Sequence, residues 1–151
     1  MLSQAVGYAA TALGYVAAAS GKPVLVKDIA VACEIPSPYL AKIVNSLAKL
    51  GLVQTQRGIG GGVVLARPAQ DVSLYDLCVA LGDPAVQARC MLGIAECSDE
   101  RACPAHRFWA PQRCRHIEFL KQTTVADIAA FETRRRWAKA PKGSHTDAPS
   151  A

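Results

Sequence analysis

The segment from Ser37 to Ala66 constrains this chain more than any other. Ser37 is a good N-cap, Pro38 suits the first helical position and Gly51 stands where a left-handed residue closes a helix, so one helix is bounded at both ends. Within it Leu40, Ile43, Val44 and Leu47 follow the i, i+3, i+4, i+7 rule and form one apolar stripe. The opposite face carries Pro38, Lys42, Asn45 and Lys49 and no carboxylate. A shorter helix, Lys27 to Cys33, precedes it, with Ile29, Ala30 and Cys33 turned inward and Glu34-Ile35-Pro36 as a tight connection. These residues fit a helix-turn-helix and fit equally an ordinary helical hairpin with a solvated charged face.

The adjoining residues separate the two. Leu52–Gln56 and Val63–Ala66 are β-favouring runs joined by Arg57-Gly58-Ile59-Gly60-Gly61-Gly62, which predicts a hairpin with a glycine-rich tip. A hairpin placed after such a helix is a wing, and its glycines let backbone approach a sugar-phosphate rail. A nucleotide-binding phosphate loop is the rival, but the segment lacks the Gly-Lys-Ser/Thr ending and no clear helix comes after it. Charge agrees with the wing. Between Ile35 and Gln70 stand Lys42, Lys49, Arg57 and Arg67 with no Asp or Glu, inside a chain of net charge +5. The expected partner is double-stranded DNA: Ser37, Pro38, Tyr39, Lys42, Asn45 and Lys49 face the major groove, while Arg57, Gly58, Gly60 and Gly61 face the backbone or minor groove.

Around this segment the periodicity predicts a scaffold helix from Ser3 to about Ala19 and a helix over Val72–Leu81 capped by Ser73. A further helix is expected from about Pro104 to Gln122, kinked or restarted at Pro111. A last one begins at Thr123 or Thr124 and ends near Trp137, and the Ala-, Pro-, Lys- and Ser-rich stretch 138–151 reads as a disordered tail. The fold class is thus mainly α with one small β-hairpin. A chain of 151 residues buries enough surface to need no disulfide framework. No signal peptide or run of about 20 apolar residues is seen, so the expected location is the cytoplasm. Six cysteines in a reducing compartment point to metal or redox chemistry.

Three of them stand as Cys90-x6-Cys97-x5-Cys103, with His106 three positions on. Gly93, Ser98 and Asp99 make the span an adaptable loop, and a helix opening near Pro104 brings Cys103 and His106 to one side. Three thiolates and an imidazole suit either a structural zinc or an iron-sulfur cluster, and the wide spacings differ from the paired knuckles usual for zinc. A metal-free thiol switch, with Arg89 and Arg101 lowering a thiol pKa, is the remaining reading. Cys33 and Cys78 fall on apolar helical faces as core residues, and Cys114 belongs to the core, a dimer interface or a minor alternative ligand set. His116 and His145 are expected to be solvated, and Met91, Phe108 and Trp109 to cover the loop or pack the helix. No paired carboxylates or nucleophile-base set suggests an enzyme.

The motifs Leu2-Ser3-Gln4 with Gly7-Tyr8-Ala9, Ile35-Pro36-Ser37-Pro38-Tyr39-Leu40, Arg57 to Gly62 and the three-cysteine loop together resemble the IscR/NsrR-type, or Rrf, family of bacterial transcriptional regulators over about residues 2 to 135. The resemblance implies a homodimeric winged helix-turn-helix repressor or activator on a pseudo-palindromic operator. Its long C-terminal helix pairs with its twin, and Cys90, Cys97 and Cys103 hold an iron-sulfur cluster read as an iron, redox or nitrosative signal. Cys103-Pro104-Ala105-His106 is similar to the cluster-assembly branch, which implies His106 as fourth ligand and [2Fe-2S] ahead of [4Fe-4S], with zinc behind both. The nitric-oxide-sensing branch takes an aspartate from the first helix, where this chain has Gly7. The first cysteine spacing is six residues where the assembly regulators have five. The implied organisation is a DNA-binding domain over 1–82, a cluster loop over 83–103, dimerisation helices over 104–137 and the tail. The alternatives are a metal-free thiol-responsive repressor of the same fold and an electron-transfer iron-sulfur protein.

Overall fold

The first helix, α1 (Gln4–Ala18), is the element on which the others pack, and its sequence explains why. Val6, Ala9, Ala10, Ala12, Leu13 and Val16 are all buried, and the small residues among them let neighbouring helices approach from more than one side. This computed structural model describes residues 1–93 and 95–139. In chain order the remaining elements are α2 (Val26–Cys33), α3 (Ser37–Lys49), β1 (Val53–Gln56), β2 (Gly62–Leu65), α4 (Leu74–Ala80), α5 (His106–Gln122) and α6 (Val125–Lys139). Short 3-10 turns lie at Ala69–Asp71, Pro84–Val86 and Asp99–Arg101.

The helix-turn-helix forms as the sequence predicts, with one correction at its entry. Ser37 does not cap α3: it is the first helical residue and Pro38 the second, because the Pro36 carbonyl already accepts the N–H groups of Tyr39 (3.0 Å) and Leu40 (2.9 Å). At the other end Gly51 is left-handed (φ 69°), its N–H reaches the Ala48 carbonyl and the Leu52 N–H reaches Leu47, the paired bonds of a Schellman cap. Glu34 closes α2 in the left-handed region at φ 57°, which makes the turn into α3 tight. Leu40, Ile43, Val44 and Leu47 are buried as one stripe against Ile29, Ala30 and the inner face of α1.

β1 and β2 pair antiparallel in the register Val53↔Leu65 to Gln56↔Gly62. Val24 lies alongside β2: the Val24 N–H donates to the Val63 carbonyl at 3.1 Å and the Val63 N–H returns to Val24 at 2.8 Å. Gly62 is required there, since its φ is 148° and a Cβ would come within 2.6 Å of the Val24 backbone.

α4 opens with a capping box in which Ser73 and Asp76 serve each other's backbone, and Thr124 with Asp127 repeats the device at α6. α5 begins at His106 rather than Pro104, after a turn in which the His106 N–H bonds the Cys103 carbonyl. It neither ends nor restarts at Pro111, since the Arg107 carbonyl that loses its partner belongs to an exposed residue where solvent can replace the bond. Leu120 alone among the α5 residues is buried, which leaves Phe108 and Phe119 exposed. α6 folds back on α1, with Ile128 reaching 3.0 Å from where a Gly14 Cβ would stand. The segment 104–137 therefore divides into one helix within the core and one standing largely free. α6 runs two residues past Trp137, and 140–151 of the expected tail lie outside the described residues. Among the described residues no helix is long and apolar enough to cross a membrane.

Candidate nucleic-acid interface and cysteine site

Ser37, Pro38, Tyr39, Lys42, Asn45 and Lys49 are all exposed on the side of α3 away from its apolar stripe. Tyr39 is not free to swing: its ring meets Tyr8 of α1 edge-on, centroids 5.8 Å apart at 78°. The Ser46 hydroxyl donates to the Lys42 carbonyl at 3.2 Å, so it is occupied within the helix. At the wing Arg57, Gly58 and Gly60 are exposed, with both glycines at positive φ. Gly61 differs from its neighbours. It is buried, and a Cβ there would run into the Gln56 and Gly58 carbonyl oxygens, so it shapes the turn and offers no outer surface. Ile59, to which the sequence pattern assigns no role, is the most projecting residue of the tip, fully exposed among glycines.

The cysteine loop is built on a small backbone ladder. The Cys90 N–H donates to the Ala95 carbonyl and the Cys97 N–H to Ala88, both at 2.8 Å, around a bridge between Arg89 and Glu96. Left-handed Gly93 makes the turn, and the Trp109 indole N–H fastens the loop to α5 through the Arg89 carbonyl at 3.1 Å. Cys90 and Cys103 thereby meet, Sγ to Sγ, at 3.5 Å. Cys97 Sγ stands 3.3 Å from His106 Nδ1, and His106 Nε2 is 2.9 Å from Asp99 Oδ1. In the tautomer with the proton on Nε2, the ring donates to that carboxylate and turns the Nδ1 lone pair toward the thiol. In the sequence Asp99 reads only as a loop former. Its pairing with His106 depends on how the loop folds back on α5, and the side chain itself is fully exposed.

All four predicted ligands line one cavity of 50 Å³ with Leu92 and Arg101. The Leu92 backbone N–H and the Cys103 thiol hold the Cys90 thiol below its usual range against a smaller effect of burial, and the Arg101 charge adds least. The donors form two pairs, and among the described residues no group of three or more His, Cys, Asp or Glu side chains is arranged around a single metal ion. Three thiols and a bare imidazole nitrogen nonetheless fit a two-iron centre, in which each iron takes two protein ligands.

The other cysteines divide. Cys78 is fully buried and its thiol is pushed up to about 11 by burial and by Asp83. The Cys33 thiol faces the Thr11 carbonyl at 3.9 Å. Cys114 is exposed on α5 in a shallow groove with Arg113, Ile117 and Lys121, and does not line the cysteine cavity. His116 is half-buried on the same helix, and His145 lies outside the described residues. Asp83 is the residue most missed by sequence reading: it is 2% exposed and accepts the N–H groups of Ser3 and Ala85 at 2.8 Å each, joining the loop's first residues to the start of α1.

Comparison with known proteins agrees with this architecture. The profile of the Rrf2 family, described as an iron-dependent transcriptional regulator, matches residues 2–130. An HTH-type transcriptional regulator of Aquifex aeolicus is 32% identical over 136 residues, covering 89% of this chain and 94% of that protein. The HTH-type transcriptional regulator IscR of Vibrio atlanticus is 34% identical over 122 residues, 80% of this chain and 70% of that one. Among solved structures, CymR (YrzC), the global cysteine regulator of B. subtilis, superposes with a TM-score of 0.72 at 28% identity over 87% of this chain and 97% of its own. T. potens IscR shares the fold at a TM-score of 0.67 and 24% identity, over 95% of this chain and 93% of its own. The chain belongs to the Rrf2 family of DNA-binding transcriptional regulators, winged helix-turn-helix proteins and not enzymes.

Proposed function

We propose that this regulator is a homodimer that reads a pseudo-palindromic operator and takes its signal from an iron-sulfur cluster held by Cys90, Cys97, Cys103 and His106. The observation that carries the reading is the convergence of these four donors on one cavity as two pairs, Cys90 with Cys103 and Cys97 with His106. The pairing favours [2Fe-2S] over a single zinc, because a lone tetrahedral ion asks all four donors to converge on one point. When bound, the cluster supplies a centre sensitive to oxidants, nitric oxide and iron supply. Around it, Asp99 orients the His106 ring and the Trp109 indole keeps the loop against α5. In this scheme 1–82 with α6 forms the DNA-binding body, 83–103 the sensing loop, and α5 supplies the face that meets its twin.

At the DNA, Lys42, Asn45, Tyr39, Pro38 and Ser37 address the major groove and Lys49 a phosphate, while Arg57 and the Gly58 and Gly60 backbone track the adjacent rail or minor groove. A change at the loop reaches α5 through His106 and Trp109, and so alters the spacing of two α3 helices across the dimer. The test is a spectrum of anaerobically purified protein with iron and acid-labile sulfide assayed on the same sample, and then DNA titrations at fixed salt. Visible charge-transfer bands with matching iron and sulfide, lost in Cys97→Ser, are expected. Equal DNA affinity of loaded and cluster-free dimers would refute the sensing step.

A further inference from the structure

We propose that Cys90 and Cys103 are a redox modification site in the cluster-free protein, closing to an intramolecular disulfide while Cys97 stays a thiol. The two sulfurs already stand 3.5 Å apart, and roughly 1.5 Å of approach brings them to the bond length of about 2.05 Å. Both residues are held where they are by backbone. Cys90 is fixed in the ladder beside the Gly93 turn, and Cys103 is fixed by the bond from the His106 N–H to its carbonyl. The adjoining cavity gives the side chains room to turn, and neither thiol is fully buried.

Cys97 is set apart by its partner, since its sulfur faces the His106 imidazole and Asp99 keeps that ring in place. The remaining cysteines do not line the cavity: Cys33 lies at the end of α2 with its thiol toward Thr11, Cys78 is buried in the core and Cys114 is exposed on α5.

With hydrogen peroxide as oxidant the step balances. One thiol of the pair attacks the peroxide, the O–O bond breaks, a sulfenic acid forms and one water leaves. The second thiol attacks that sulfur, the S–S bond forms, the S–O bond breaks and a second water leaves with the remaining thiol proton. Two thiols are oxidised by two electrons, and peroxide is reduced to water. The disulfide itself needs no cluster; only an effect on DNA binding rests on the proposed sensing function.

The experiment uses full-length protein freed of metal with a chelator, treated with hydrogen peroxide, alkylated and digested with trypsin and a glutamate-specific protease. Cleavage after Arg89, Glu96, Glu100, Arg101 and Arg107 separates the three cysteines into peptides 90–96, 97–100 and 102–107. The expected result is a linked 90–96/102–107 pair, lighter by two hydrogen atoms than the sum of its parts, with 97–100 alkylated. Cys97→Ser keeps that link and Cys90→Ser loses it. A link through 97–100, or peroxide-treated protein with all three peptides alkylated or over-oxidised, overturns the proposal whether or not anaerobic protein carries a cluster.

Discussion

Replacing Asp83 with alanine tests how the cysteine loop is anchored to the start of α1. The carboxylate is 2% exposed and accepts two backbone N–H groups at 2.8 Å, from Ser3 at the start of α1 and from Ala85 at the start of the loop. Bonds of this kind to a charged acceptor are worth about 1.5–3 kcal/mol each, and the donors left behind are part-buried, so Asp83→Ala is expected to cost about 3 kcal/mol. For a chain of this size that lowers the melting temperature by roughly 6–12 °C. Asp83→Asn keeps one acceptor oxygen and loses about half as much. Burial pushes the Asp83 pKa up, but the Ser3 and Ala85 donors outweigh it and the folded value lies below the ordinary carboxylate range. Its contribution is therefore complete above that ordinary range and is lost as pH falls through the lowered folded value. Urea unfolding of wild type and Asp83→Ala across acid pH checks this, with midpoints far apart at pH 7 and converging toward pH 2. Equal midpoints at neutral pH, or a gap that persists in acid, would refute the anchoring role.

Gly62→Ala places a Cβ 2.6 Å from the Val24 backbone at a φ of 148°, so the wing should lose its pairing with Val24. Amide exchange at Val24 and Val63 will rise, with a stability cost of more than about 1 kcal/mol. Arg57→Ala, if Arg57 meets phosphate, lowers the slope of log affinity against log salt by roughly 1 per protomer, as salt-series binding isotherms will measure. A thiol reagent at pH 8 should label exposed Cys114 readily and leave Cys78 unreacted until denaturant is added, because Cys78 is buried and its thiol is pushed up to about 11.

Much of the winged helix-turn-helix is legible in the sequence because its signals are local. The stripe Leu40, Ile43, Val44 and Leu47, the Gly51 stop, the Ser73 cap and the glycine-tipped hairpin each depend on neighbours within a few residues, and each is found as expected. The features that escape depend on distant partners. Nothing near Asp83 announces that Ser3, 80 positions earlier, supplies its donor. Gly61 and Gly60 look alike in sequence, yet the fold of the tip buries one and exposes the other. Ser37 loses the cap to Pro36 because a proline carbonyl serves as well as any other for the first helical bonds. The cysteine loop lies between these cases. The spacing names the right residues for one cavity, but their division into two pairs, and the Asp99 partner of His106, come only from the loop's ladder.

The packing of α6 on α1 has a consequence for synthesis. α1 finds its mate at Ile128, near the end of the described chain, through the bare surface of Gly14. At about 5–20 residues per second the earlier helices wait several seconds with that apolar face uncovered. A nascent or truncated chain ending before Val125 has the complete helix-turn-helix and wing and still lacks the helix that closes its core. Quality control of this regulator is thus tied to α6: a chain cut short before that point exposes the α1 surface to chaperones and proteases.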